Sequence, residues 1–237
     1  MRQQETRGRW LCDGGWVNGV CTHDSLVHQL REDESAGDGP LFLPAPLDLH
    51  VHGGGGADVM QGDAALRTVL QTHAAHGTAG MLATSVTAPF EAIEDFLSSV
   101  ARVSRELDAE RLAQEPGSQD HAHLLGVHLE GPFINPDKLG AQPDYPAALD
   151  LLRLESWFHT GLVKVITYAP ELDEDLQVTD LCKRYGVRAQ IGHTLCSWAT
   201  AAAAMAQGAG VTHLYNAMSP VLHREGGAAV AALAFAS

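Results

Sequence analysis

The stretch LDLHVHG, residues 47–53, stands where the chain changes from one structural pattern to another. Before it, short apolar pieces are broken by glycine, asparagine and aspartate, a pattern that is typical of short strands and turns. From Leu41 onward, apolar β-type runs alternate with helical, alanine-rich runs, which predicts βαβ units around a parallel sheet. The sequence therefore predicts a β-rich portion at residues 1–40 and an α/β domain at residues 41–237.

The α/β domain contains six predicted strands with the nearly continuous apolar character of strands buried on both faces. They lie near Leu47–Val51, Ala79–Val86, Leu124–Leu129, Val163–Tyr168, Val187–Ile191 and Val211–Leu214. Helical segments are predicted between them, near Asp63–His76, Pro89–Leu107, Ala147–His159, Leu172–Tyr185 and Ser197–Gln207. A closed (β/α) barrel needs eight strands, so this count predicts either an open sheet or an incomplete barrel.

Composition excludes some classes of function and restricts the compartment. The 15 lysines and arginines against 29 aspartates and glutamates give a net charge of −14, which disfavours binding to nucleic acid. No run of about 18 apolar residues predicts a membrane helix, and the polar N-terminus does not resemble a secretory signal. The four cysteines form no CxxC pair, which favours reduced thiols in a cytoplasmic protein.

Histidines and one glutamate recur where the predicted strands end, which is the side that carries the active site in barrels and the ligand in open sheets. His50 and His52 are two residues apart on a strand, so both imidazoles point to one face and can reach one cation. Glu130 ends another strand beside a Gly-Pro turn. His193 and His213 follow two further strands. One carboxylate and two imidazoles supply the three protein ligands of a catalytic metal site, which points to metal-assisted hydrolysis.

Five motifs occur in an order that resembles one enzyme family. They are LDLHVHG at 47–53, HLEGPF at 128–133, TYAPE at 167–171, GHT at 192–194 and THLYNAM at 212–218. Together they resemble the N-acetylglucosamine-6-phosphate deacetylases of the amidohydrolase superfamily. The resemblance implies a metal-bearing (β/α)8-type barrel, present here with about six strands, and a small β-sandwich built partly from residues 1–40. It also implies hydrolysis of N-acetylglucosamine 6-phosphate to glucosamine 6-phosphate and acetate.

The resemblance assigns roles to individual residues. Glu130, His193 and His213 match the family's principal metal ligands, and His50 with His52 matches a pair that can hold a second ion. The substrate contacts that it implies are Gln142, Asn216, Ala217 and Arg224. Gln142 stands where the family usually has histidine, and it cannot become charged. An arginine fork suits the phosphate of the substrate.

The resemblance also implies a departure at the catalytic step. The family's general-base aspartate would fall beyond Ser237, so no catalytic acid–base residue is expected within the chain. Because such a group typically contributes about 10²–10⁴-fold, we expect impaired turnover. A non-catalytic remnant that binds metal or sugar phosphate, and another kind of amidohydrolase, remain as alternatives.

The expected cofactor is a divalent metal, with one or two ions bound. Zinc suits histidine and glutamate, and iron, cobalt and manganese are also compatible with these ligands. The expected partner is a small amino-sugar phosphate. Family members often form homodimers, although nothing in the sequence pattern marks an interface.

Overall fold

The structure is a computed structural model that describes residues 3–24, 27–113 and 120–235. Two separate sheets carry most of the strands, and a third, two-stranded ribbon is much smaller. Within the described ranges, no helix has both the length and the apolar character needed to span a bilayer.

The first sheet contains four strands in the spatial order β3–β2–β1–β4. β1 pairs antiparallel with β2, and β4 pairs parallel with β1. Trp10 of β1 stacks on Phe42 of β4, with ring centroids 4.0 Å apart. The sheet thus takes in two residues beyond position 40. Its strands are β1 (Gln4–Cys12), β2 (Gly15–His23), β3 (Val27–Glu32) and β4 (Leu41–Phe42).

The second sheet contains six parallel strands, and each lies beside the strand that precedes it in the repeat. The spatial order is β12–β11–β10–β9–β8–β5, which is the order of a (β/α) barrel that has not closed. The strands are β5 (Leu47–Val51), β8 (Gly80–Ser85), β9 (His123–Glu130), β10 (Val163–Tyr168), β11 (Arg188–Ile191) and β12 (Gly210–Val211). A short hairpin of β6 (Gly53–Gly54) and β7 (Ala57–Asp58) follows β5. This arrangement confirms the predicted fold class.

Helices connect these strands and cover the sheet. The side chain of Asp150 accepts the N–H of Arg153 at the start of α3, and Ser197 accepts the N–H of Thr200 at the start of α5. Such caps satisfy backbone donors that lack a partner within the helix. The helices are α1 (Asp63–Ala75), α2 (Phe90–Ala113), α3 (Leu151–His159), α4 (Gln177–Tyr185), α5 (Trp198–Ala206) and α6 (Ala228–Phe235).

Three predicted elements are clearly shorter in the structure than in the sequence analysis. The helix predicted near Ala147–His159 begins only at Leu151. The prediction that a helix begins at Leu172 is wrong, because the chain first forms a short 3-10 turn and then α4 begins at Gln177. Asp173 lies before the helix and accepts the N–H groups of Gln177 and Val178. The last predicted strand, near Val211–Leu214, ends at Val211, so His213 lies on the loop that follows.

The six-stranded sheet is strongly curled. β5 and β12 form its two edges, yet the rings of His50 and His213 lie with centroids 5.9 Å apart. The curl gathers the carboxyl ends of the strands around one point. The polar residues that follow the strands therefore lie close together.

Candidate metal centre

Glu130 is the centre of a histidine cluster at the carboxyl end of the curled sheet. It is the last residue of β9 and is only 1% exposed. Its Oε1 lies 3.0 Å from His193 Nε2 and 3.0 Å from His213 Nε2. Its Oε2 lies 2.9 Å from His52 Nε2 and 3.3 Å from His50 Nε2. One buried carboxylate thus contacts all four histidines that the sequence singles out.

The ligand atoms form two groups that share Glu130. In each group, the possible ligand atoms all lie within 4.8 Å of one another. The first group comprises His50, His52 and Glu130, and the second comprises Glu130, His193 and His213. Both are built from the imidazole and carboxylate ligands that zinc binds. The structure therefore brings together all five predicted metal ligands.

The hydrogen bonds of two imidazoles fix which nitrogen faces the carboxylate. His52 Nδ1 lies 3.0 Å from the carbonyl oxygen of Thr84, and His193 Nδ1 lies 2.8 Å from that of Lys138. A carbonyl oxygen only accepts, so each Nδ1 carries the proton and donates it. In the neutral ring, Nε2 then presents a lone pair, as a metal-ligating histidine does.

The contacts between nitrogens show that the donor set fits a cation. His50 Nε2 lies 2.9 Å from His52 Nε2, and His193 Nε2 lies 3.1 Å from His213 Nε2. Lone pairs at these distances from each other and from a carboxylate repel one another, and two protonated rings repel as well. A shared cation between them relieves both repulsions, so the residues fit a metal.

The electrostatics of the cluster favour positive charge beside Glu130. Burial alone would raise the pKa of the Glu130 carboxyl, but hydrogen bonds from the four histidines hold that pKa below its usual range. The hydrogen bond to Glu130 raises the pKa of His213. The pKa of His52 is also raised, because its interactions with Glu130 outweigh the effect of its burial. Protons on these rings, or a cation between them, can supply the favoured charge.

Gln142 connects the cluster to the neighbouring loop. Its Nε2 donates to Glu130 Oε2 at 2.6 Å, while its Oε1 accepts the backbone N–H of Thr87 at 2.6 Å. Both polar atoms of the amide are thus engaged within the chain. The predicted substrate contact lies beside the ligands and orients the carboxylate.

The other predicted substrate contacts lie at the edge of the cluster or away from it. Asn216 is exposed on the loop after β12, and Ala217 accepts the backbone N–H of Thr194, the residue after His193. Arg224 is exposed, and within the described part of the chain no hydrogen bond or ion pair joins it to the histidine cluster. The structure thus brings Ala217 to the cluster and leaves Arg224 outside it.

Sequence reasoning assigned no role to His128, although it lies within one of the motifs. His128 Nδ1 donates to the carbonyl oxygen of Leu49, so its Nε2 accepts the hydroxyl of Thr167 at 2.7 Å. Thr167 in turn lies 2.7 Å from the hydroxyl of Thr212. Burial, and then the neighbouring His50, lower the pKa of His128 to about 4. The ring is therefore neutral, and its hydrogen bonds connect the strands that carry the ligands. The position of His128 on a buried strand is the sequence feature that could have indicated this role.

A scan against protein-family models gives no match. Among curated proteins, N-acetylglucosamine-6-phosphate deacetylase of Bacillus subtilis is 35% identical over 225 residues, which cover 93% of this chain and 54% of that protein. N-acetylgalactosamine-6-phosphate deacetylase of Escherichia coli O157:H7 is also 35% identical, over 92% of this chain and 58% of that protein. The chain thus spans about half the length of the curated relatives it matches.

Solved structures agree with the sequence relatives. A point mutant of N-acetyl-D-glucosamine-6-phosphate deacetylase from Mycobacterium smegmatis, in complex with N-acetyl-D-glucosamine-6-phosphate, has a TM-score of 0.80 at 28% identity, covering 98% of this chain and 60% of that one. The enzyme from Thermotoga maritima also has a TM-score of 0.80, at 25% identity, with 96% and 59% covered. By sequence and by fold, the chain is similar to N-acetylhexosamine-6-phosphate deacetylases and spans between about half and three fifths of their length.

Proposed function

We propose that this chain carries the metal-binding part of an enzyme that hydrolyses the N-acetyl group of an N-acetylhexosamine 6-phosphate. The products are the free amino-sugar phosphate and acetate. The observation that carries the proposal is one buried carboxylate, Glu130, held between four imidazole Nε2 atoms at the end of a parallel sheet. The relatives support the reaction class, since their names describe deacetylation of such sugars.

Glu130 with His193 and His213 would hold the principal ion, and Glu130 with His50 and His52 would hold a second one. Zinc is the metal that best suits this donor set, and iron, cobalt and manganese are compatible with it. When bound, the metal supplies Lewis acidity toward the acetamide carbonyl. Thr84 and Lys138 hold His52 and His193 in the tautomer that binds the metal.

Substrate recognition is assigned to the residues around the ligands. Asn216 and Ala217 lie on the loop that carries His213, and we assign to them the contact with the sugar phosphate. Arg224 is exposed and offers a bidentate fork for the phosphate. Gln142 first orients Glu130, and its contact with substrate is secondary to that role.

The identity of the sugar is proposed as N-acetylglucosamine 6-phosphate, with its 4-epimer as the second candidate. The second candidate is favoured by one observation: the N-acetylgalactosamine-6-phosphate deacetylase has the same identity to this chain, 35%, as the N-acetylglucosamine-6-phosphate enzyme.

We propose that turnover by these 237 residues alone is slow. Proton transfer to the leaving amine needs an acid–base group that is free to exchange its proton. Glu130 is surrounded by imidazoles, and in the described part of the chain the ion pairs of the four ligand histidines all go to Glu130. We further propose that residues 1–40 and 41–237 form separate domains, that the protein is a homodimer and that it is cytoplasmic.

Zinc-dependent binding of the substrate tests this function directly. The zinc-loaded chain is titrated calorimetrically with N-acetylglucosamine 6-phosphate and with its 4-epimer, and acetate release is measured in parallel. Glucose 6-phosphate lacks the acetamide, and N-acetylglucosamine lacks the phosphate, so these two compounds are matched controls. We expect one site that requires zinc, the acetamide and the phosphate, with slow acetate release.

Two results would contradict this proposal. Absence of zinc-dependent binding to either acetylated sugar phosphate would remove the substrate assignment. Substrate binding without any acetate release over days would instead indicate a sugar-phosphate-binding protein that does no chemistry.

A further inference from the structure

The TYAPE motif at residues 167–171 ends in Glu171, a carboxylate that contacts none of the five ligand residues. Glu171 lies in the 3-10 turn Pro170–Leu172, directly after β10. β10 lies between β9, which ends at Glu130, and β11, which precedes His193. Glu171 is therefore placed between two loops that carry metal ligands.

Both carboxylate oxygens of Glu171 accept hydrogen bonds from these loops. Oε1 accepts the backbone N–H of Leu195 at 2.7 Å and the side-chain amide N–H of Asn135 at 2.9 Å. Oε2 accepts the hydroxyl of Thr194. One side chain thus ties the loop after β9 to the loop after β11.

The tied segments adjoin the ligands themselves. Thr194 and Leu195 directly follow His193, and the backbone N–H of Asn135 donates to the carbonyl oxygen of His193 at 2.9 Å. The N–H of Thr194 also donates to the carbonyl oxygen of Ala217, on the loop that carries His213. The contacts of Glu171 therefore continue, through Thr194, to the third ligand loop.

The backbone at His193 needs such support. Its φ is +48°, in the left-handed region that residues other than glycine seldom occupy. Such a conformation persists only when the surrounding contacts hold it in place. It aims His193 Nε2 at Glu130 while Nδ1 reaches Lys138. The hydrogen bonds of Asn135, Thr194 and Leu195 lie immediately around this position.

We propose that Glu171 is a positioning residue, which holds the loop of His193 so that this imidazole faces Glu130 in the geometry that the metal requires. The proposal rests on the metal site of the proposed function. Glu171 touches neither the ion nor the substrate in this account and acts through Thr194 and Leu195. Outer residues that orient metal ligands typically contribute about 10–100-fold to metal affinity.

The test compares Glu171→Ala and Glu171→Gln with Asp173→Asn. Asp173 is a buried carboxylate two residues away that caps α4, so it reports on folding alone. Zinc affinity is measured by competition with a chelator, and folding by circular dichroism and thermal midpoint. We expect Glu171→Ala to weaken zinc binding about 10–100-fold. Glu171→Gln keeps an acceptor for Leu195, so we expect a smaller loss. Asp173→Asn should lower the midpoint and leave zinc affinity unchanged.

A second readout needs no metal. The His193 Nδ1–H that donates to Lys138 should give a slowly exchanging ring N–H signal in the nuclear magnetic resonance spectrum of the zinc-free chain. We expect this signal to be lost in Glu171→Ala. If the alanine variant does not fold, Thr194→Val takes its place, and we expect it to weaken the signal. Unchanged zinc affinity and an unchanged signal would overturn the proposal. If the wild-type chain binds no zinc but Glu171→Ala still loses the ring N–H signal, the proposed metal site is overturned and the positioning role of Glu171 is supported.

Discussion

The two sides of Glu130 are built in different ways. On one side, His50 and His52 come from a single edge strand and the residue after it, and about a third of each side chain is exposed. On the other side, His193 and His213 come from two loops, both with left-handed backbone, and the His193 side chain is only 4% exposed. Strand alternation alone pairs the first two imidazoles, whereas the second pair needs contacts between distant loops. One carboxylate can therefore join a histidine pair that neighbouring residues of one strand bring together to a pair that only contacts between distant loops bring together.

Replacing the shared carboxylate should have the largest effect, because it removes both sides at once. In Glu130→Gln the four imidazoles face a neutral amide, so the charge that favours a cation is lost. We expect the zinc content after dialysis to fall from stoichiometric to near zero, as measured by atomic emission. Glu91→Gln, on the exposed start of α2, is the control and should keep its zinc. A variant that still holds one ion tightly would show that the two sides do not depend on Glu130.

Removing one histidine from each side tests the asymmetry directly. We expect His193→Ala to weaken zinc binding more than about 100-fold, which exceeds the effect of changing a residue that only orients a ligand. We expect His52→Ala to weaken it only about 10-fold. The reason is burial, since a desolvated ligand interacts more strongly with the ion than one that is a third exposed. Chelator competition on both variants measures the ratio. Equal losses, or a larger loss for His52→Ala, would break the comparison.

Gln142 sharpens the comparison, because it contacts Glu130 through Oε2, the oxygen on the side of His50 and His52. Gln142→Leu keeps much of the volume, removes the hydrogen bond to Oε2 and leaves the Thr87 N–H without its acceptor. We expect about a 10-fold loss of zinc affinity, which is the smaller end of the range for residues that orient a metal ligand without touching the metal. Gln29→Leu, on the exposed strand β3, is the matched control. A loss as large as that of His193→Ala would contradict the assignment of Gln142 to the weaker side.

Asp63 should have the smallest effect, and its effect should depend on pH. It begins α1, after the hairpin that follows His52, and accepts hydrogen bonds from Arg102 and Ser99. Arg102, and then Ser99, lower its pKa to about 2. A carboxyl with a lowered pKa stabilises the fold above its unfolded pKa of about 4, and that stabilisation is lost as pH falls from about 4 to 2.

We therefore expect Asp63→Asn to lower the free energy of unfolding by less than about 1 kcal/mol at neutral pH, as for an exposed ion pair. The difference from wild type in urea titrations should shrink toward zero as pH falls to about 2. Asp38→Asn, in the exposed N-terminal loop, should show no such difference. A constant difference between pH 7 and pH 2 would show that the Asp63 charge does not contribute.

The side that could be predicted from the sequence is the one encoded by local geometry. The alternation in residues 47–53 predicts that His50 and His52 share a face, and the apolar strands predict that their ends meet at one edge of the sheet. Glu130, His193 and His213 were predicted on the same ground. The structure brings these five residues together at the end of the six-stranded sheet.

What the sequence could not predict depends on contacts between distant loops. Left-handed backbone at His193 and His213 has no local signal, since neither residue is glycine. The hydrogen bond from Gln142 to Glu130 joins a loop to the end of β9, and its direction follows from the neighbouring Thr87 N–H. The late start of α4 has the same origin: Asp173 draws the N–H groups of Gln177 and Val178 to its side chain before the helix begins.

Because the six-stranded sheet is curled, a bound ion would also connect its two edges. His50 belongs to the first strand of the sheet and His213 follows the last, so ions held through Glu130 would act as a reversible cross-link between the two margins of the sheet. Such a clasp closes a loop that runs through nearly the whole α/β region, much as a disulfide would, but it opens whenever the ion leaves. At a free ion concentration about 1,000 times the dissociation constant, the linkage would add about 4 kcal/mol to stability. A chelator that removes the ion would therefore remove this cross-link and lower the stability of the sheet.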